Sequence, residues 1–130
     1  EIRTGHFHTG LDVRTEGRSG IPVLAAHDGT IGRIKVSQRG YGLALYLDGG
    51  GLTSVYAHLS RFHPDIEAWL KSEQYAQEKW AFDGRPEATF SFAAGDTLGW
   101  SGNTGGSFGP HLHFELRDAR SQRPMPSRWN

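Results

Sequence analysis

Three short stretches of this sequence carry residue types that could do chemistry together. "GPHLHFELR", residues 109–117, sets His111 and His113 two apart. Alternate side chains of a strand share a face, so both imidazoles project the same way, roughly 7 Å apart along the chain. Leu112 and Phe114 then take the opposite, core-facing side. One imidazole of such a pair can bind a metal while the other reaches a substrate beside it. The same spacing fits two solvent-facing histidines on a half-exposed strand. "HFHTGLD" places His8 and Asp12 four apart, with Thr9-Gly10 between them to let the backbone bend. Nitrogen and carboxylate oxygen are donors that zinc accepts in a tetrahedral set. A polar surface loop is the plainer reading of that stretch. "YAHL" puts His58 with Ser54 and Tyr56, on the strand face away from Val55, Ala57 and Leu59. An ordinary exposed strand histidine would look the same.

The elements that must position these residues follow from periodicity. From Pro22 onward the period is two. "PVLAAHDGTIGRIKVS" predicts two strands turning as a hairpin at Asp28-Gly29. "YGLALYLD" puts Leu43, Leu45 and Leu47 on one face, "GGG" at 49–51 makes a turn, and "LTSVYAHLS" is a further strand. Residues 64–79 change period. Pro64 suits the first helical position, and Asp65 and Glu67 suit the positive end of a helix dipole. Ile66, Trp69, Leu70, Glu73, Ala76 and Trp80 follow a mostly apolar helical stripe. "FDGRPE" reads as a turn, "ATFSFAAGDTLGWSG" as two strands around Gly95-Asp96, and "HLHFELR" as the last strong strand. "VLAAHDGTIGRI" and "FSFAAGDTLGWSG" are faintly alike, which suggests two similar strand–turn–strand units. The expected fold is mostly β, an antiparallel sandwich of duplicated-hybrid type with one flanking helix around residues 64–79.

Composition bounds what such a chain can be. Its 130 residues fit one domain, 1–130. Eighteen glycines are about twice the usual share of roughly 7%, and with seven Phe, four Trp and four Tyr they favour short strands and tight turns over a helical bundle. Formal net charge is zero, so no electrostatic footprint for nucleic acid or an anionic membrane is visible. With no cysteine, a metal site must draw on His, Asp or Glu. No apolar run approaches a membrane-spanning length. The chain begins at Glu1 rather than Met, which reads as a piece of a longer protein.

Taken jointly, H-x3-D near the start, Y-x-H-L in the middle and H-x-H near the end occur in a telling order. With "IPVLAAHDGTIGRI", "GYGLALYLDGGGLTSVYAHLS" and "AAGDTLGWSGNTGGSFGPHLHFELRD", the sequence resembles the lysostaphin/LytM-type zinc metalloendopeptidases, which cut peptide bonds of bacterial peptidoglycan. The helix and turn at about 62–88 read as an insertion between the matching blocks. The resemblance implies one Zn2+ ion held by His8, Asp12 and His113, with His111 catalytic and His58 its partner. It implies a peptidoglycan peptide as substrate, a periplasmic or extracellular cell-envelope location, and, from a Gram-negative flavour, cleavage of D-Ala–diaminopimelate cross-links. Gly-Gly cross-links are also served within the family.

The chemistry is self-consistent. Three protein ligands leave a fourth position for water, whose pKa zinc lowers to about 7. The H-E-x-x-H motif of helical zincins is absent, so imidazole must handle the proton and the oxyanion, shared between His58 and His111. Glu115 lies on the face of His111 and His113 and either orients a histidine or is a surface charge. The glycines of "SGNTGGSFGP" would let backbone approach an extended peptide. His6, His27 and His63 receive no catalytic role, though His63 stands where it can help start the helix. Two rivals remain: a non-catalytic wall-binding or hydrolase-activating module of the same fold, and a biotinyl/lipoyl carrier. A carrier needs a lysine at a hairpin tip, whereas Lys35 sits mid-strand.

Overall fold

A computed structural model describes residues 11–14, 19–106, 109 and 111–125, with backbone alone at 11–14. His6 and His8 lie outside the described residues. The elements are β1 (Leu11–Arg14), β2 (Pro22–Leu24), β3 (Gly29–Val36), β4 (Leu43–Gly49), β5 (Leu52–Phe62), α1 (Pro64–Gln77), β6 (Phe82–Gly84), β7 (Ser91–Phe92), β8 (Thr97–Ser101) and β9 (His111–Asp118). Every strand pairing is antiparallel. The fold is the expected antiparallel β-sandwich, with a single helix among the described residues.

The broad sheet runs β1-β9-β5-β4-β3-β6. The β4–β5 hairpin closes through Gly50 and Gly51, both at positive φ (59° and 79°), the conformation a tight primed turn demands and glycine adopts without strain. β5 is the shared spine. Its first half, Leu52–Ala57, pairs with β9, and its second half, Leu59–Phe62, pairs with β8. The sheet therefore forks at His58. Between the broad sheet and the β8–β2 arm lies the core: Val23, Ile34, Leu45, Leu47, Tyr56, Leu59, Phe62 and Leu98, capped by Ile66 and Leu70 of α1. Leu45 and Leu47 are fully buried and Leu43 partly so, as the alternation requires.

Two expectations fail for one reason. β2 and β3 do not form a hairpin at Asp28-Gly29: β2 pairs with β8, and β3 pairs with β4, β6 and β7. The two similar units have exchanged partners, the first strand of each lying against the second strand of the other. The crossing is stitched by Ala25 N–H to the Asp96 carbonyl (2.8 Å), Gly95 N–H to the Ala25 carbonyl (2.9 Å) and Ala94 N–H to the Asp28 carboxylate (2.8 Å). Tyr56, buried in the core, holds the same crossing by accepting the Ala26 N–H at 2.9 Å. Long-range burial has overridden a strong local turn signal. Residues 82–84, expected as turn, form the short strand β6 on the edge of β3. In the broader pattern, each strand after α1 pairs into strands that precede it.

The helix starts where the sequence places it. His63 is the N-cap, its Nδ1 accepting Asp65 N–H at 3.1 Å, and Pro64 follows. The carboxylate of Glu67 reaches back to accept Phe62 N–H at 2.8 Å. The helix ends at Gln77, two residues early, because Glu78 takes a left-handed conformation. Of the expected stripe, Ile66 and Leu70 are buried and Trp69 packs edge-on against Phe82. Trp80 lies past the helix and is exposed.

Candidate active site

β9 sets the site by alternation. Leu112 and Phe114 pack against the core, so His111, His113, Glu115 and Arg117 emerge on the other face. In register beside His113 stand Ala57 on β5 and Asp12 on β1, while Arg14 stands beside His111. Strand β1 thus brings Asp12, the end of the H-x3-D stretch, beside His113 of H-x-H at the level of the backbone. His8 and the Asp12 side chain lie outside the described residues.

His58 reaches this face by a different device. Strict alternation would put it with Tyr56, away from Ala57 and Leu59. Instead the register with β4 slips by one residue here, and His58 adopts a left-handed φ of 62°. Such a bulge turns two successive residues to one side. Tyr56 and Leu59 both enter the core, whereas Ala57 and His58 both face the site. This corrects the expected face assignment: His58 shares its face with Ala57 rather than with Tyr56, while it stays opposite Leu59 as expected. The amide of His58 donates to the Tyr41 carbonyl (2.8 Å), and its Nδ1–H donates to the Thr104 carbonyl (2.7 Å). Nδ1 of His111 likewise donates to the Gly109 carbonyl at 2.8 Å. In the neutral form of both rings Nε2 then carries the lone pair. The two rings lie 4.8 Å apart between centroids, and His58 is 6.1 Å from His113.

Glu115 is not a surface charge. It is 2% exposed, and one carboxylate oxygen accepts from His113 Nε2 at 2.9 Å and from the Tyr41 hydroxyl. The other oxygen accepts from Arg117 through Nε (2.8 Å) and Nη2 (2.7 Å). Burial pushes its pKa up, but the hydrogen bonds from His113 and Tyr41 and the Arg117 charge outweigh that and hold it at about 2. A permanent carboxylate therefore accepts the hydrogen bond of His113 Nε2–H, and in the neutral ring the lone pair lies on Nδ1. Ligating histidines are oriented this way around zinc. Sequence reasoning named Glu115 but missed Tyr41, which reaches it from a distant loop, and Arg117, which holds it from two residues along the same strand face.

Thr104 is the keystone of the loop after β8. Its hydroxyl donates to the Leu59 carbonyl (2.7 Å) and accepts Leu43 N–H (3.1 Å) while its carbonyl holds His58. Gly105, at φ 76°, is pressed so close that a Cβ there would stand 2.4 Å from the Gly40 carbonyl oxygen. The Tyr41 loop and the Thr104 loop are thus locked together beside the histidines, and part of the glycine-rich stretch buttresses the site.

Among the described residues no group of three or more His, Cys, Asp or Glu is gathered to hold a metal. The part of the donor set that is described nonetheless fits a zinc-type ion: an imidazole whose neutral tautomer is set by a buried carboxylate, and an aspartate whose backbone on the adjacent strand is in register with it.

Comparison with known proteins extends this picture beyond single residues. The sequence profile of Peptidase family M23 matches residues 6–75. The chain is 32% identical over 117 residues to the "DD-carboxypeptidase/endopeptidase Mpg" of Neisseria meningitidis, covering 89% of this chain and 21% of that protein. It is 30% identical over 129 residues to lysostaphin of Staphylococcus simulans, covering 94% of this chain and 21% of lysostaphin. The chain thus spans about a fifth of the length of these relatives. The solved catalytic domain of the antimicrobial peptidase lysostaphin from Staphylococcus simulans superposes with a TM-score of 0.61 at 28% identity, over 88% of this chain and 71% of that one. Likeness therefore reaches from the H-x3-D stretch through the spine strand to β9, and this chain belongs to Peptidase family M23.

Proposed function

We propose that this chain is a zinc-dependent endopeptidase domain that hydrolyses peptide cross-links of bacterial peptidoglycan, of the D-Ala–diaminopimelate type. The observation that carries the reading is the paired His58 and His111, rings 4.8 Å apart on the same face as His113, each with Nδ1–H committed to a backbone carbonyl. His8, Asp12 and His113 are the residues that would hold zinc, with His113 using Nδ1. Bound there, zinc would supply an acidified water and polarise the scissile carbonyl.

This chain's own residues do the rest. His58 and His111 present Nε2 atoms that accept a proton when neutral and donate a hydrogen bond when charged, which suits proton transfer and stabilisation of a developing oxyanion near neutral pH. Fixing both Nδ1 protons on the backbone removes the tautomer choice before substrate arrives. Glu115, ionised throughout the working range, keeps His113 in its ligating tautomer. The relative named a DD-carboxypeptidase/endopeptidase supports the D-Ala bond; a further relative is named a "Glycyl-glycine endopeptidase". No helix among the described residues is long and apolar enough to cross a membrane. The proposed place of action is the cell envelope.

The test is digestion of purified sacculi with mass analysis of products, alongside metal content. His113→Ala should lose both zinc and activity. His58→Ala and His111→Ala should keep zinc and lose turnover. An active, zinc-free His113→Ala chain sinks the mechanism. A zinc-loaded parent chain that releases no muropeptides favours the non-catalytic module.

A further inference from the structure

The site face continues past the histidines in one register row. His113 stands beside Ala57; across the β4–β5 bulge Ala44 clusters with Ala57, and Ala44 is paired with Lys35 on β3, which is paired with Asp83 on β6. Ala44 and Ala57 are buried beneath Tyr41, which packs on them. The Tyr41 ring is therefore the surface that joins the two ends of the row. Its centroid lies 5.3 Å from the His113 ring on one side and 5.9 Å from Lys35 Nζ on the other. Its hydroxyl is held by Glu115 and Arg117, so the ring is fixed.

The charges on this face are unevenly matched. Arg33 grips both oxygens of Asp83, at 2.7 and 2.8 Å. Arg117 is committed to Glu115. Lys35, between them, stands across from Asp83 and its charge helps hold that carboxyl's pKa down, but among the described residues it makes no ion pair; its ammonium rests over the Tyr41 ring instead. A half-exposed ammonium one aromatic ring away from a candidate metal ligand is positioned to meet an anion on a substrate lying across that ring.

We propose that Lys35 is the specificity residue for a free carboxylate on the substrate peptide, with Tyr41 the platform under the arm that carries it. This rests on the peptidoglycan-peptidase reading and deepens it. The site would select cross-links that carry a carboxylate beside the cleaved bond over those in which it is amidated, or over glycine bridges, which have no side chain to offer one.

The experiment uses the zinc-loaded chain and two cross-linked muropeptide dimers that differ only in whether the carboxylate beside the scissile bond is free or a carboxamide. KM and kcat are read from product release by chromatography. The parent chain should prefer the free carboxylate by about tenfold in KM, the worth of one charge-assisted hydrogen bond. Lys35→Gln should bring the two substrates to parity, Lys35→Glu should invert the preference, and Lys35→Arg should retain it. Added salt should erode the preference of the parent chain. Cleavage of both dimers by the parent chain with equal KM, or a preference that survives Lys35→Gln, overturns the proposal alone. Failure to cleave either dimer overturns the peptidase reading, and the proposal with it.

Discussion

His58 pays for its position with a backbone conformation that most side chains avoid. A left-handed φ costs about 1–3 kcal/mol for a residue unsuited to it, and least for Asn and Gly. The bulge and the imidazole can therefore be separated. His58→Asn should fold with a Tm close to the parent and show no turnover. His58→Val should lose about 1–3 kcal/mol in urea titration, because a β-branched residue resists positive φ. Equal stability of the two variants would show that the bulge carries no strain. Glu115 makes the second prediction at this scale. Replacing it by Gln should weaken zinc binding about 10- to 100-fold, as loss of an orienting carboxylate does elsewhere, measured by competition with a chelator. In the metal-free chain its depressed pKa gives stability that is complete above the unfolded value of about 4.3 and is lost as pH falls toward about 2. Glu115→Gln should flatten stability across that acid window. The shared face of His111 and His113 was legible from spacing, because alternation in a strand is local. The hydrogen bonds of Tyr41 and Thr104 were not, because each depends on a contact between distant segments, whereas Arg117 lies on the same strand face as Glu115 and the same alternation would have found it.

At the scale of elements, locally coded features held and exchangeable ones did not. Pro64, Asp65 and Glu67 mark the helix start in the sequence, and the structure begins α1 at Pro64. The Asp28-Gly29 signal is as strong, yet β2 and β3 part company, since nothing in the turn can reveal that a better partner lies seventy residues on. Tyr56, the Tyr of Y-x-H-L, is a core anchor for that exchange. Tyr56→Phe should leave Ala26 N–H without its acceptor and cost about 1–3 kcal/mol by denaturant melting, without removing any group from the histidine face. The loop pair beside the site is a second element-level lock. Gly105→Ala must push the Gly40 carbonyl away and so loosen the loop whose carbonyl holds His58. The expected readout is a fall in kcat exceeding any loss of stability. An unchanged kcat would mean that the Thr104 loop does not position His58.

For the whole molecule, the sandwich class and the single helix were readable from a period of two interrupted once by a period near 3.6. The branching at β5 was not, because one strand switching partners at a bulge leaves the local pattern almost intact. Its first half continues the broad sheet and its second half begins the arm. One bend thus produces both the enclosed core and the point at which His58 meets β9.

The strands that follow α1 find their partners in strands made before it. During synthesis the chain emerges from its amino end, so β1 and β2 wait for β9 and β8, their partners among the described strands. β9, with His111 and His113, comes last in order among the described strands, and it closes against both β1 and the spine. A chain released early, ending at residue 106, is expected to lack a stable fold and to bind no metal, as circular dichroism and metal analysis would show. Chain order thus leaves a shortened chain without the strand that carries both His111 and His113.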